Sequence, residues 1–323
     1  MIHIENILQS IPDVRIKTIA DVKIDHLKQN PKKFEGINLT TDPNEIFTDV
    51  EINVVIICTS TDTHSDFIIQ AANSHKDIFC EKPIGNNLSE IRKSLESVEK
   101  NNVKLMIGFN RRFDHNFRRI KESINVGDIG VPHIIKITSR DPAPPPIEYL
   151  KSSGGLFFDM TIHDWDMARF MANSEVEEVY ATGAALIDPS ISEFDIDTAA
   201  AILHFKNGAM AVIDNSRQAK YGYDQRVEVF GSEGAIRVDN DTPNSVKLFT
   251  KKSTQMDKMH HFFLERYMQS YKDEMIEFFE CLRENTNPSV SGQDGLQAVL
   301  IALAAKKSLK EHRPVKISEV DLK

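Results

Sequence analysis

The chain of 323 residues has no glycine before Gly36, only three cysteines, one tryptophan and no excess of positive charge. The missing early glycines exclude, from everything ahead of Gly36, the glycine turn that lets a backbone approach a phosphate. Three cysteines (Cys58, Cys80, Cys281) exclude a disulfide scaffold; each sits in an apolar stretch, so buried thiols in a reducing compartment are expected. Lys and Arg total 39 against 48 Asp and Glu, a net charge of −9, which argues against a nucleic-acid or anionic-membrane partner. No apolar run approaches the ~20 residues that cross a bilayer, and the first residues lack the basic-then-apolar layout of a secretory leader. What is present, 41% hydrophobic and 27% charged residues, is the balance of a folded enzyme rather than a disordered or fibrous chain. The length suits two domains.

Two patterns follow one another. Ile4, Ile7, Leu8 and Ile11 have helical spacing, and Val14 to Ala20 alternates like a strand that ends at Asp21. Asp42-Pro43-Asn44-Glu45 is a helix start, and Val54 to Cys58 is a continuous apolar run, as in a strand covered on both faces. Helix (Thr63 to Asn73), strand (Asp77 to Cys80), helix (Leu88 to Glu99) and strand (Lys104 to Gly108) complete a doubly wound parallel sheet. Beyond it, seven strand-like segments between His133 and Thr250 are joined in several places by short polar turns such as Lys206-Asn207-Gly208, which favours antiparallel pairing. Helices are expected over Asp114–Asn125, Thr161–Met171, Arg266–Glu284 and Gln293–Glu311. The fold class is therefore α/β plus α+β, with a parallel-sheet domain over 1–108 and, over 109–323, an open, predominantly antiparallel sheet followed by C-terminal helices.

Several residues could carry chemistry. Asp159 and His163, in Asp159-Met-Thr-Ile-His163, fall one turn apart if the segment opens a helix. A carboxylate there can orient an imidazole as a general base; equally, Asp159 caps the helix and His163 packs in the core. Asp164 and Asp166 add carboxylates, but no Cys or second His stands at ligand spacing, so no metal is expected. Lys82 follows a strand end, where open α/β sheets place ligands, and could donate to a hydroxyl or simply be exposed. Thr59, Ser60 and His64 follow another strand end and could meet a dinucleotide or cap the next helix. Asp21 stands where an acidic residue accepts from an adenosine ribose, which favours NAD over its 2′-phosphorylated form. Arg111, Arg112 and Tyr221-Gly-Tyr223-Asp224 supply further polar groups, each readable as surface charge or strand packing.

Together these segments resemble the glucose–fructose oxidoreductase / inositol dehydrogenase (Gfo/Idh/MocA) family, closest to its inositol-dehydrogenase branch. The matching stretches are Glu81-Lys82-Pro83, Gly108 to Asp114, Arg140-Asp141-Pro to Pro146, Gly154 to Asp164, Asp214 to Arg217, Tyr221 to Gly231 and Ser291 to Gly295. The resemblance implies a Rossmann-type first domain and hydride transfer from a ring carbon of myo-inositol to NAD, giving a keto-inositol. It implies Lys82, Asp159 and His163 as the catalytic set, and a cis Lys82–Pro83 bond. Asp21, Thr59, Ser60, His64, Glu81 and Asn110 are expected at the cofactor, and Lys82, Arg111, Asp141, Asp159, His163 and Tyr223 at the polyol. A related sugar or scyllo-inositol dehydrogenase, or a non-catalytic relative without cofactor, is the alternative. A cytoplasmic homo-oligomer, dimer or tetramer, built through the antiparallel sheet is implied as well.

The sequence departs from that family at its start. The family opens on a strand and a Gly-x-Gly-x-x-Gly turn, whereas here the chain begins at Met1-Ile-His-Ile-Glu5, inside the helix expected after that turn. The expectation is an incomplete Rossmann-type sheet from a truncated start. Its central strand would be absent between Val14–Ala20 and Val54–Ile57, and its hold on NAD weak.

Overall fold

The computed structural model describes residues 1–321. The chain divides into two units, Met1–Phe109 with Tyr271–Leu296, and Asn110–Ser270 with Gln297 onward. The first boundary falls beside the expected one at 108, but a C-terminal segment belongs with the first unit. The backbone explains why: Ile107 N donates to Val290 O, and Met106 bridges Ser291, so this segment continues the edge beside the last parallel strand.

In the first unit, helix α1 (Ile2–Ser10) leads to strand β1 (Thr18–Ala20), α2 (Asp25–Lys28), β2 (Asn38–Thr40) and α3 (Asn44–Thr48). Then β3 (Val54–Ile57), α4 (Thr61–Asn73), β4 (Asp77–Glu81), α5 (Leu88–Asn101) and β5 (Leu105–Gly108) alternate as expected. The pairs β1–β2, β3–β4 and β4–β5 are parallel, yet β1–β2 and β3–β4–β5 form separate sheets. Among the described residues no strand pairs between them. The strand expected over Val14–Ala20 is confined to Thr18–Ala20, because a strand exists only where a ladder partner does, and β2 offers three residues. The small sheet is held from below by Ile24, Leu27 and Phe34, with Ile4, Ile19, Ile37 and Leu39 packed against them. Buried Ile78, Phe79 and Cys80 make β4 the apolar centre of the larger sheet, as a strand covered on both faces requires. The Asn87 side chain accepts from Ser89 N and Glu90 N to start α5. Cys80 and Cys281 are buried; Cys58, just past β3, is exposed, contrary to the expectation of three buried thiols, because the strand ends at Ile57, one residue short of the apolar run.

The second unit opens with α6 (His115–Val126), whose first N–H groups are capped by Asp114 and whose end turns at Gly127, φ +83°. Strand β6 (Pro132–Arg140) follows, then the helical turns α7 (Ile147–Ser152), α8 (Leu156–Asp159) and α9 (Ile162–Ala172). Strands β7 (Val176–Ala184), β8 (Thr198–Phe205), β9 (Met210–Ser216), β10 (Asp224–Gly231) and β11 (Ala235–Val238) come next. After the outlying hairpin β12 (Lys247–Phe249) and β13 (Thr254–Met256) come α10 (Phe263–Arg266), α11 (Met268–Glu284), α12 (Gly292–Glu311) and β14 (Val315–Lys316). Seven strands form one sheet, ordered β11-β10-β6-β9-β8-β7-β14, antiparallel at every neighbour except the parallel pair β6–β9. Along β8, Ala199, Ala201, Leu203 and Phe205 face the core. On the same strand, residues 200, 202 and 204 point outward.

Candidate functional site

In the first unit the expected residues gather at the carboxyl ends of parallel strands. Lys82–Pro83 is cis, directly after β4. Glu81 is half-buried: its Oε1 lies 2.6 Å from His3 Nε2, and its Oε2 accepts from Lys82 N at 3.3 Å. Glu274 completes a group of three, fully buried, its carboxyl raised well above the usual range by burial and then by Glu81 and Glu277. The 2.6 Å spacing is that of a hydrogen bond. It is tighter than the roughly 3.3 Å between adjacent ligands around a tetrahedral ion 2.0–2.1 Å away. His64 is buried, its Nδ1 2.8 Å from Pro83 O and its Nε2 3.1 Å from Thr59 O. Its ring thereby links the loops that follow β3 and β4. Thr59 and Ser60 are exposed, the Thr59 hydroxyl 2.6 Å from that of Thr63, and Ser60 heads α4. Asp21 follows β1, partly exposed, and accepts from Lys23 N.

In the second unit a buried polar cluster forms on the inner ends of β6, β9 and β10. Arg111 donates to Asp164 Oδ1 at 2.7 Å and reaches Ser139 and the Tyr223 hydroxyl at 3.4 Å, with its guanidinium over the Tyr267 ring. Asn215 donates to the other oxygen of Asp164 at 2.8 Å. Asp166 is occupied in the same way by Arg112 and Arg169. Both carboxylates raised at first as possible ligands are thus satisfied by arginine. Asn110 is buried with its Nδ2 unpaired.

Asp159 and His163 do not share one helix. Leu156 O accepts from both Met160 N and Thr161 N, a widened turn that ends α8 at Asp159 and restarts the chain as α9 at Ile162. Asp159 therefore closes one short helix while His163, half-buried, sits in the first turn of the next. The Asp159 carboxylate accepts from the Tyr149 hydroxyl at 2.7 Å through Oδ1 and from Arg217 Nη1 at 3.0 Å through Oδ2. Arg217 also faces Asp195 at 3.8 Å.

Electrostatics separate the carboxyls. Burial pushes Asp141 up to about 6, against the pull of Arg217 and Arg111. Burial likewise raises Asp164 and Asp195. For Arg111, burial opposes its charge, but Tyr223, Tyr267, Asp164 and Asp141 more than compensate. A set of fixed cations and carboxyls with spread affinities for protons can recognise hydroxyls and move a proton at near-neutral pH. Tyr149, Asp195 and Arg217 were not singled out by sequence reasoning. Arg217 stood inside the Asp214 to Arg217 stretch, but nothing in spacing tied it to Asp159, 58 positions away.

Residues 2–109 match the profile of the oxidoreductase family with an NAD-binding Rossmann fold, and residues 117–237 match that of the GFO/IDH/MocA C-terminal domain. A myo-inositol 2-dehydrogenase of Thermotoga maritima is 48% identical over 320 residues, which cover 99% of this chain and 96% of that protein. The crystal structure of a probable dehydrogenase from Thermotoga maritima superposes with a TM-score of 0.96 at 47% identity, covering 99% of this chain and 96% of that one. The scyllo-inositol dehydrogenase of Lactobacillus casei, solved with bound NAD(H) and scyllo-inositol, superposes at 0.90 with 28% identity, covering 98% and 95%.

Proposed function

Because the chain belongs to the GFO/IDH/MocA oxidoreductase family, we propose that it is an NAD-dependent inositol 2-dehydrogenase, oxidising a ring CH–OH of myo-inositol to a ketone. The observation that carries this reading is the near-full-length 48% identity to a myo-inositol 2-dehydrogenase, joined to a buried cluster of hydroxyl-recognising groups in the second unit.

The strand ends suit a dinucleotide: Asp21 after β1 can accept from ribose hydroxyls, and exposed Thr59 and Ser60 after β3 can donate to it. Glu81 and Asn110 complete the cofactor-facing set, with His64 holding the loops they sit beside. The residues ahead of Gly36 supply no glycine turn for the pyrophosphate. Held by the cofactor-facing set, NAD would supply the acceptor for the hydride of the ring carbon. Lys82 hydrogen-bonds the reacting oxygen, His163 takes the hydroxyl proton as the C=O forms, and Asp159 supports the charge His163 acquires. Arg111, Asp141 and Tyr223 hold the remaining hydroxyls.

The protein acts as a homo-oligomer, up to a tetramer, in inositol catabolism in the cytoplasm. Its free cysteines suit a reducing compartment, and among the described residues no helix is long and apolar enough to cross a membrane. The outward face of the sheet carries Tyr180, Ile202 and Val212 in direct register across β7, β8 and β9, a stripe of exposed apolar side chains suited to a second copy. Absorbance of NADH formed with myo-inositol, scyllo-inositol and glucose tests the reading. Turnover should be greatest with myo-inositol, and no turnover on any inositol overturns it.

A further inference from the structure

Asp159 is held by a cation that cannot itself reach a ligand. The Arg217 side chain is only 1% exposed, and its Nη1 donates to Asp159 Oδ2 at 3.0 Å. Its Nε and Nη2 make no hydrogen bond, although both are buried. Its Nη2 instead lies 3.8 Å from Asp195, and its backbone N donates to Asp197 O. Asp195 in turn accepts from Leu156 N through Oδ1, so Asp195 fixes the first residue of α8 while Arg217 fixes the last, Asp159. Gly155, at φ +90°, is what admits this approach: a Cβ there would stand 2.9 Å from Asp195 Oδ1. The Tyr149 hydroxyl binds the other oxygen of Asp159. Asp141 also lies within the influence of Arg217, which holds its carboxyl down against burial.

The buried guanidinium thus stands between two carboxylates, Asp159 and Asp195, that hold the two ends of α8; burying an ion is costly unless such partners surround it. We propose that Arg217 is a positioning residue for the hydride-transfer reaction: with Tyr149 it clamps the Asp159 carboxylate in one orientation, and it balances the charge of Asp159, Asp195 and Asp141. This rests on the proposed role of Asp159 and His163. Asp195 backs the clamp from the other end of α8. Because Arg217 is sealed from solvent, its loss acts on turnover through Asp159 and not on the cofactor.

The test compares Arg217→Met, Arg217→Lys, Arg217→Ala and Tyr149→Phe with Asp159→Asn and His163→Ala, all on the full chain. Arg217→Met should lower kcat by roughly 10²-fold, as for a misplaced catalytic group, with KM for inositol changing far less and NADH affinity unchanged. The acidic limb of its kcat/KM profile should move to higher pH, since the cation that holds the Asp141 carboxyl down is gone. Arg217→Lys should recover part of the loss, and guanidinium ion added to Arg217→Ala should restore turnover by refilling the vacated space. Tyr149→Phe, losing one hydrogen bond, should cost roughly tenfold or less. Wild-type kcat and pH profile in folded Arg217→Met, beside inactive Asp159→Asn and His163→Ala, overturn the clamp alone. So does a loss that neither lysine nor guanidinium repairs. Full activity in Asp159→Asn or His163→Ala overturns the assignment on which the clamp rests, and the two failures are thereby distinct.

Discussion

Removing Asp164 exposes how much of the second unit depends on one buried ion pair. The Arg111 side chain is 6% exposed and that of Asp164 0%, 2.7 Å apart, with Asn215 on the second carboxylate oxygen. Charges about 4 Å apart at an effective dielectric of 20 attract by about 4 kcal/mol, close to the 3–5 kcal/mol lost when one member of such a pair is deleted. In Asp164→Ala the guanidinium keeps Ser139 and Tyr223, both at 3.4 Å, the Tyr267 ring and the attraction of Asp141. For a domain of this size, about 4 kcal/mol corresponds to a fall in melting temperature of roughly 8–16 °C. The double variant Arg111→Met/Asp164→Leu removes both charges together and should recover most of that loss, since burying neither ion avoids both desolvation costs. The assay is calorimetric melting of the four corners of the cycle at low and moderate salt, the salt leaving the difference unchanged because the pair is sealed from solvent. A loss under about 1 kcal/mol in Asp164→Ala, or a double variant no better than the single, refutes the reasoning.

The Asp141 carboxyl, raised by burial from 3.8 to about 6, binds its proton more tightly in the folded chain. The fold therefore loses stability as pH rises through that window and stays lower above it. Asp141→Asn should gain roughly 1–3 kcal/mol at pH 8 and nothing below pH 4 by melting, while raising KM for inositol at pH 8. Gly155→Ala, forced to φ +90° and into Asp195, should cost roughly 1–3 kcal/mol and lower kcat, read together by melting and steady-state kinetics. Ile202→Asp places a charge in the exposed stripe between Tyr180 and Val212 and should shift the native mass towards the single chain without unfolding it.

The expected bounds of β8 and β9 coincide with the observed strands, because the polar turn Lys206-Asn207-Gly208 separates two apolar runs. The strand over Val14–Ala20 was overextended for a related reason: alternation records what a strand could bury, while its length is set by a partner that is not adjacent in sequence. Asp159 and His163 were visible as a pair by type and spacing. The widened turn at Leu156 that divides them between α8 and α9 was not, since it depends on one carbonyl accepting two N–H groups. Family likeness drew attention to Arg111, Asp141 and Tyr223, whereas Arg217 and Asp195 acquire meaning only when the chain brings positions some 40–60 residues distant against α8. His64, also at a strand end, has ring nitrogens 2.8 Å and 3.1 Å from two backbone carbonyls, contacts that its position in the sequence did not announce.

The most direct test of the account is NADH formation from myo-inositol and NAD, followed by absorbance. It is run on this chain and, in parallel, on the same chain preceded by a strand and a Gly-x-Gly-x-x-Gly turn. The account predicts inositol-dependent NADH formation that Lys82→Met, Asp159→Asn and His163→Ala each abolish. NADH formation that survives all three substitutions, or none with any inositol in either version, contradicts it.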